Sequence, residues 1–558
     1  MNPPPFDPGR TGAAAPAPGP LLAAASPAAG PGAKLRRTIT WVDAFWVTSG
    51  VPALLLFTIG AMAASVGNPS WAVWIISILF GFLQSFTYAE IAGLYPHKSG
   101  GASVYGAMAW VRYGKLLAPI SIWCNWIAWS PVLALGVSLA SGYLMGIVFD
   151  PHAVVRTWTF TLADLAWIRP GLTIRINADV LLADVILLAV FAIQHRGILS
   201  AARAQMIFAI SSLLPLILIG LVPLVTGDLP RAHFAPFVPL AHDAAGLPVA
   251  GSWNPAGFTV LAGAMAIAGW TTYGFETAVC YTREFRDPAR DTFRAIFSSG
   301  LLCLFIFTLV PIAFQAAMGL AGMLDPGIYS GMGVAHAMAA MVGATGVMEN
   351  AIVVLLVLTL LLSVMTAMAG SSRTLYQGSI DGWLPRYLGR LNRNGAPTRA
   401  MWTDLGFNLI LLTMSDNIFV LAASNVAYMI FIFMNLNAGW IHRLDRPTWP
   451  RPFKAATWLL ATGAVLGYVN LFIIGMGSDI WGRGTLASGL VLSTLIIPVF
   501  AWRHYVVDRG RFPAAMALDM HPDFDAAQAP RSNSGVRPYL ALAGGAAAIA
   551  LGRWLAVA

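Results

Sequence analysis

Apolar residues run along this chain in long blocks separated by short polar stretches. A helix that crosses a bilayer needs roughly 20 mostly apolar residues. Twelve blocks qualify: 40–64, 71–94, 116–148, 180–195, 201–226, 256–281, 296–320, 349–372, 400–415, 418–441, 456–477 and 484–503. A thirteenth, 539–556, carries Gly544, Gly545 and Arg553, and has the length either to span or to lie along a surface. The longest loops facing one side are 150–179 and 227–255, and the apolar, Gly-rich stretch 323–348 is expected to hold a short interfacial helix. The pattern predicts an all-α polytopic membrane protein.

Two of these blocks are interrupted in the same way. Of the twenty tryptophans, only two begin the pattern W-x-T-x-G. One is Trp46-Val47-Thr48-Ser49-Gly50 in the first block, followed by Val51 and Pro52; the other is Trp270-Thr271-Thr272-Tyr273-Gly274 in the sixth. Blocks one to five and six to ten then form two halves of a repeat. Five is odd, so the second half enters the membrane from the opposite side. Paired interruptions of this kind point to a transporter's binding site. Backbone amides that leave the helix at membrane depth need a cavity or a ligand. The N-terminus of a half-helix suits a carboxylate, and freed carbonyls suit an ammonium or a cation. Pro52 fits the first position of a restarted helix, where its missing N–H costs nothing.

Composition agrees with a membrane setting. Of the 558 residues 58% are hydrophobic and only 10% charged, against about 25% charged in soluble domains. The formal charge of +9 is carried in short loops, which argues against nucleic-acid binding. Basic residues also set an orientation. With the N-terminus in the cytoplasm, 24 Lys and Arg fall in inner segments and five in outer loops over residues 34–511. Only four of the 33 basic residues are lysine and alanine is abundant, which indicates GC-rich bacterial coding and hence a bacterial inner membrane. Cys124, Cys280 and Cys303 lie inside apolar blocks without CxxC spacing, so neither a disulfide framework nor a metal site is expected. Of the nine histidines only His195 touches a block, at its last residue, and none lies inside one, which removes paired haem ligation. No HExxH, P-loop or GxSxG elbow is placed for chemistry, so the chain is not expected to be an enzyme and no cofactor is assigned.

Further motifs follow in order: Glu90-x-Ala92 with Pro96, Gly100 and Gly101; Gly274-Phe275-Glu276 with Asp287-Pro288 downstream; Ser372-Arg373, then Asp381-Gly382 and Pro385. In this order and spacing they resemble the amino acid–polyamine–organocation (APC) family of permeases, over about residues 38–503. The resemblance implies a five-plus-five inverted-repeat (LeuT-like) fold with two added helices. The parts are a Pro/Ala/Gly-rich disordered cytoplasmic tail (1–37), a first repeat (38–226), a second repeat (256–441), spans eleven and twelve (453–503), a cytoplasmic segment (504–538) and the candidate thirteenth span (539–556). It also implies secondary active uptake or exchange of an amino acid or related amine by alternating access. Substrate contacts carried over are Thr48, Ser49, Gly50 and Val51, with Thr271, Thr272, Tyr273 and Gly274, and Trp270 takes the place of an aromatic gate. Thr48 and Pro52 stand where the family usually has a small residue and Phe. The fifth block, Ala209 to Pro215, lacks the lysine of some proton-coupled members, which argues against a lysine switch; Ser211 and Ser212 are candidates for a sodium site. Coupling to H+ or Na+ stays open, as does the oligomeric state.

Acids inside the membrane default to function. Glu276, two residues past the second break, is assigned a proton-linked or gating role. Glu90 is expected to brace the Pro96–Gly101 turn, Asp43 to pair with Lys34 or a nearby arginine, and Asp184 and Asp404 to be interfacial. Trp123, Trp126 and Trp129 recur on one helix face and are expected to pack or anchor, with walling of the substrate cavity as the alternative. Asn425 and Tyr428 face either the pathway or the bundle. The absence of an acid in either break favours a neutral zwitterion over a polyamine. A channel or a non-transporting amino-acid sensor on the same fold remains the alternative class.

Overall fold

The computed structural model describes residues 35–150, 152–514, 516, 519 and 533–557. The expected N-terminal tail lies outside the described residues up to position 34, as does Lys34, the partner proposed for Asp43. Among the described residues, eleven helices are long and apolar enough to cross a membrane. The fourth and ninth predicted blocks are also helical, as Ala178–Gln194 and Thr398–Leu412. They have 17 and 15 residues, which at about 1.5 Å per residue is less than the roughly 30 Å of a hydrocarbon core. The helices are numbered below by the predicted block they occupy.

The architecture departs from all-α in two places. Phe160–Asp164 pairs antiparallel with Thr173–Ile176, and Leu240–His242 with Pro248–Ala250. Both hairpins lie in the two longest loops. The 323–348 stretch carries two short helices, Pro326–Ser330 and Val334–Met341.

Helix starts follow local chemistry. Thr40 and Asp43 form a reciprocal capping box at Trp41. Asp43 is therefore a cap, and among the described residues no arginine forms an ion pair with it. Asn177, Asn254, Asp287 and Asp416 each accept a backbone N–H of the first turn that follows. Pro255 and Pro288 occupy first positions, where a missing N–H is harmless.

Interruptions in spans one, six, three and seven bear on the site. Span one consists of Trp41–Thr48, a 3₁₀ turn Val51–Leu54 and Leu55–Val66. Span six is Pro255–Thr272 followed by a twelve-residue 3₁₀ stretch, Tyr273–Glu284; runs beyond 3–4 residues are uncommon and mark functional hinges or strain. Span three breaks at Ser130 between Ala118–Trp129 and Pro131–Val148. Span seven, Pro288–Met323, contains Pro311 and leaves helical geometry at Gly319, whose φ is +59°.

Helix Arg537–Val557 lies along span eleven, Thr457–Gly477. Glycines allow the close approach: the Ile549 carbonyl sits over Gly475, and the Phe472 carbonyl over Gly552. Arg553 pairs with Asp479 at 2.9 Å.

Candidate functional site: two broken helices in contact

The two interruptions meet. A side chain built on Gly274 would enter the Trp129 ring and reach Val51 Cγ1 at 3.1 Å. One built on Gly50 would lie 2.5 Å from both the Leu362 carbonyl and Thr366 Oγ1 of span eight. Each glycine is required because backbone or ring stands where a Cβ would be. Thr48, Ser49, Gly50, Val51, Trp270, Thr271, Thr272, Tyr273, Gly274 and Glu276 are all buried.

The side chains of these residues do not all face one space. Thr48 Oγ1 lies 2.6 Å from Ser299 Oγ of span seven and 3.0 Å from the Ala44 carbonyl. Ser49 Oγ donates to the Trp46 carbonyl at 2.7 Å. Thr271 lies 3.2 Å from Thr58 and Thr272 2.9 Å from Ser77, while the Tyr273 hydroxyl reaches Asn470 Oδ1 at 3.4 Å. These hydroxyls knit span six to spans one, two and eleven. What the two breaks hold in common is backbone around Gly50, Val51 and Gly274. The carbonyl freed at Val47 is already engaged by Thr366 Oγ1 at 2.6 Å and Gln205 Nε2 at 3.1 Å.

The breaks are tight turns, not extended chain. Ser49 and Gly50 keep right-handed helical angles, and Pro52 is the second residue of its 3₁₀ turn. Sequence placed Pro52 at the restart itself; the α-helix resumes three residues later, at Leu55.

Trp129 forms one wall. Its ring stands on Gly274, and its Nε1 donates to Glu276 Oε1 at 3.0 Å. Asn125 Nδ2 approaches the same oxygen at 3.4 Å, and Asn125 Oδ1 accepts from Thr374 at 2.9 Å. Glu276 Oε2 has no hydrogen-bond partner among the described residues. Trp270 Nε1 donates to the Ala128 carbonyl at 3.1 Å, one residue before Trp129. Tyr428 lies edge-on to Trp129 at 6.0 Å, and its hydroxyl is buried without a partner among the described residues.

Ser211 is exposed, and buried Ser212 donates to Phe208 of its own helix at 2.5 Å within a π-turn, Ala209–Leu213. Neither hydroxyl is paired with span eight.

Several acids stand elsewhere than expected. Glu90 pairs with Arg443 at 2.6 Å and Arg451 at 3.3 Å and accepts the Ala455 N–H at 2.8 Å, so it ties span two to the loop after span ten and does not brace the Pro96–Gly101 turn. Asp404 is fully buried, with 0% exposure, and is not interfacial; three donors from spans three and eight surround it. At the arginine-rich end, Arg373 and Glu284 form a buried two-pronged ion pair, 2.5 Å at its shorter contact, between spans eight and six. Lys98 lies between Asp381 at 2.6 Å and Asp519 at 2.9 Å. Burial alone would lower the Lys98 ammonium, but the two carboxylates outweigh it and hold it above its usual value.

The sequence of residues 39–497 matches the family model for amino acid permeases. The chain belongs to the amino acid permease family. This permease is similar to the branched-chain amino acid permease BcaP of Lactococcus lactis subsp. cremoris, 21% identical over 465 residues, covering 80% of this chain and 90% of that protein. It is 24% identical to the large neutral amino acids transporter small subunit 2 of Mus musculus, over 79% of this chain and 76% of that one. It is 25% identical to the mouse Asc-type amino acid transporter 1, over 68% and 65%. It is an amino acid transporter.

Proposed function

We propose that this permease moves a neutral α-amino acid by alternating access, as a secondary active transporter, and that the substrate binds on the backbone of the two interrupted spans. The observation that carries this reading is the approach of Val51, the residue after Gly50, to Gly274 of the second break. The turn that opens the second half of span one presents N–H groups to a carboxylate. The ammonium falls to carbonyls of the span-six break. No acidic side chain stands within 48–51 or 270–274, which disfavours a second positive charge on the substrate. The relatives named for branched-chain and large neutral amino acids support an apolar side chain.

The reading includes a five-plus-five inverted repeat. The paired breaks and the paired short helices, fourth in each half, support it. The N-terminus is placed in the cytoplasm by the arginine distribution, and Arg373–Glu284 then closes the inner side. Glu276 joins the site wall to the inner side through Trp129 and Asn125, and takes the coupling cation, a proton or Na+, when the carrier is coupled.

Counterflow into proteoliposomes tests the reading. The protein, preloaded with unlabelled L-leucine inside, should accumulate labelled L-leucine saturably, and arginine or putrescine should not compete. Conductance without saturation, or binding without flux, would favour a channel or a sensor.

A further inference from the structure

We infer that Asp404 and Asn408 of span nine are positioning residues for the amino acid site, which they set through a third helix break, in span three. The inference rests on the reading of the site given above.

Span three cannot run straight through Pro131. Proline has no N–H to donate, and its ring collides with the carbonyl four residues back. The helix is divided there, with Ser130 between its halves. Leu133 N–H bonds the Ser130 carbonyl at 3.0 Å, the acceptor that Ala134 would use in a regular helix. Ala134 N–H bonds Asn408 Oδ1 instead, at 3.1 Å. Asn408 Nδ2 donates to Ser130 Oγ at 2.8 Å and to the Asp404 carbonyl at 2.9 Å. Asp404 Oδ1 accepts from Ser130 Oγ at 2.5 Å and from Trp126 Nε1 at 2.8 Å; its Oδ2 accepts from Ser371 Oγ of span eight at 2.6 Å. Asp404, Asn408 and Ser130 each have 0% exposure.

The two side chains, one helical turn apart, thus splint both sides of the break. A carboxylate inside a membrane span is costly, and an apolar residue would serve simple packing. The splint holds a direction. Trp129 is the last helical residue before Ser130, and its ring stands on Gly274 while its N–H meets Glu276. Tilting the break moves the Trp129 ring against the span-six break, at the point where Val51 of span one also approaches Gly274.

The test is a double-mutant cycle on the purified full chain in proteoliposomes, with labelled L-leucine as the probe. A misplaced site wall of this kind costs up to about a hundredfold. Asp404→Asn and Asn408→Ala should raise the leucine KM at least about tenfold with kcat within about threefold, and in a Trp129→Ala background each should change the leucine KM by less than about twofold. Asn408→Ala keeps the carboxylate and carries the same test should Asp404→Asn not assemble. Equal fold-changes in both backgrounds, or a wild-type KM in Asn408→Ala, overturn the positioning role. Absence of leucine counterflow by the wild type overturns the site reading itself, a result separate from additivity in the cycle.

Discussion

Gly274 shows why single residues decide this site. Its missing side chain is what lets Trp129 and Val51 approach the same backbone. Gly50 serves the same purpose against Leu362 and Thr366. Overpacking a close contact costs about 1–3 kcal/mol, so Gly50→Leu or Gly274→Leu should cut amino acid uptake at least about tenfold at about 1.4 kcal/mol per decade. Surface expression, measured in the same cells, should stay near wild type. Both glycines were legible in the sequence because each ends a repeated W-x-T-x-G. The polar residues that orient the site's wall were not. Asp404 sits six residues past Thr398, where span nine begins, a position that reads as interfacial until neighbouring helices bury it. Trp129 belongs to a regular triplet of tryptophans, and each indole donates to a different partner: Leu492, Asp404 and Glu276. Spacing along one helix cannot reveal which helix stands opposite.

Among elements, the breaks were predicted in place but not in form. Interruption was expected to unwind the backbone; in its place are 3₁₀ turns, and the Val47 carbonyl just ahead of the first finds side-chain donors in Gln205 and Thr366. The break in span three had a visible signal, Ser130-Pro131 inside an apolar block. No second copy of that signal drew attention to it. The segment after span twelve returns to the arginine-rich end: Phe512 packs edge-on to Trp383 at 5.0 Å, and Asp519 pairs with Lys98 and with His97 at 2.7 Å. Burial would raise the Asp519 carboxyl, but His97 and Lys98 outweigh it and hold it below its usual 3.8. A carboxyl lowered in the folded state contributes fully above its unfolded value, and the contribution disappears as pH falls through the folded value. This contact should therefore persist across neutral pH and loosen only in acid below about 4. Asp519→Asn should speed limited proteolysis after residue 512 at pH 7 by several-fold, roughly the effect of ~1–2 kcal/mol on a local opening.

For the whole molecule, the apolar pattern located the membrane-crossing helices because bilayer thickness fixes their length. It could not show the hairpins in the two long loops, nor that the last helix lies along span eleven, since both depend on tertiary contact. Family membership rests on residues 39–497, and helix Arg537–Val557 lies outside that matched range. Transport by this family member is then a matter of where the amino acid sits. The most direct measurement is a cryo-electron microscopy map of the protein in lipid nanodiscs with saturating L-leucine. The account predicts added density bounded by residues 48–51, 270–274 and the Trp129 ring. Leucine density anywhere else in the protein would contradict it.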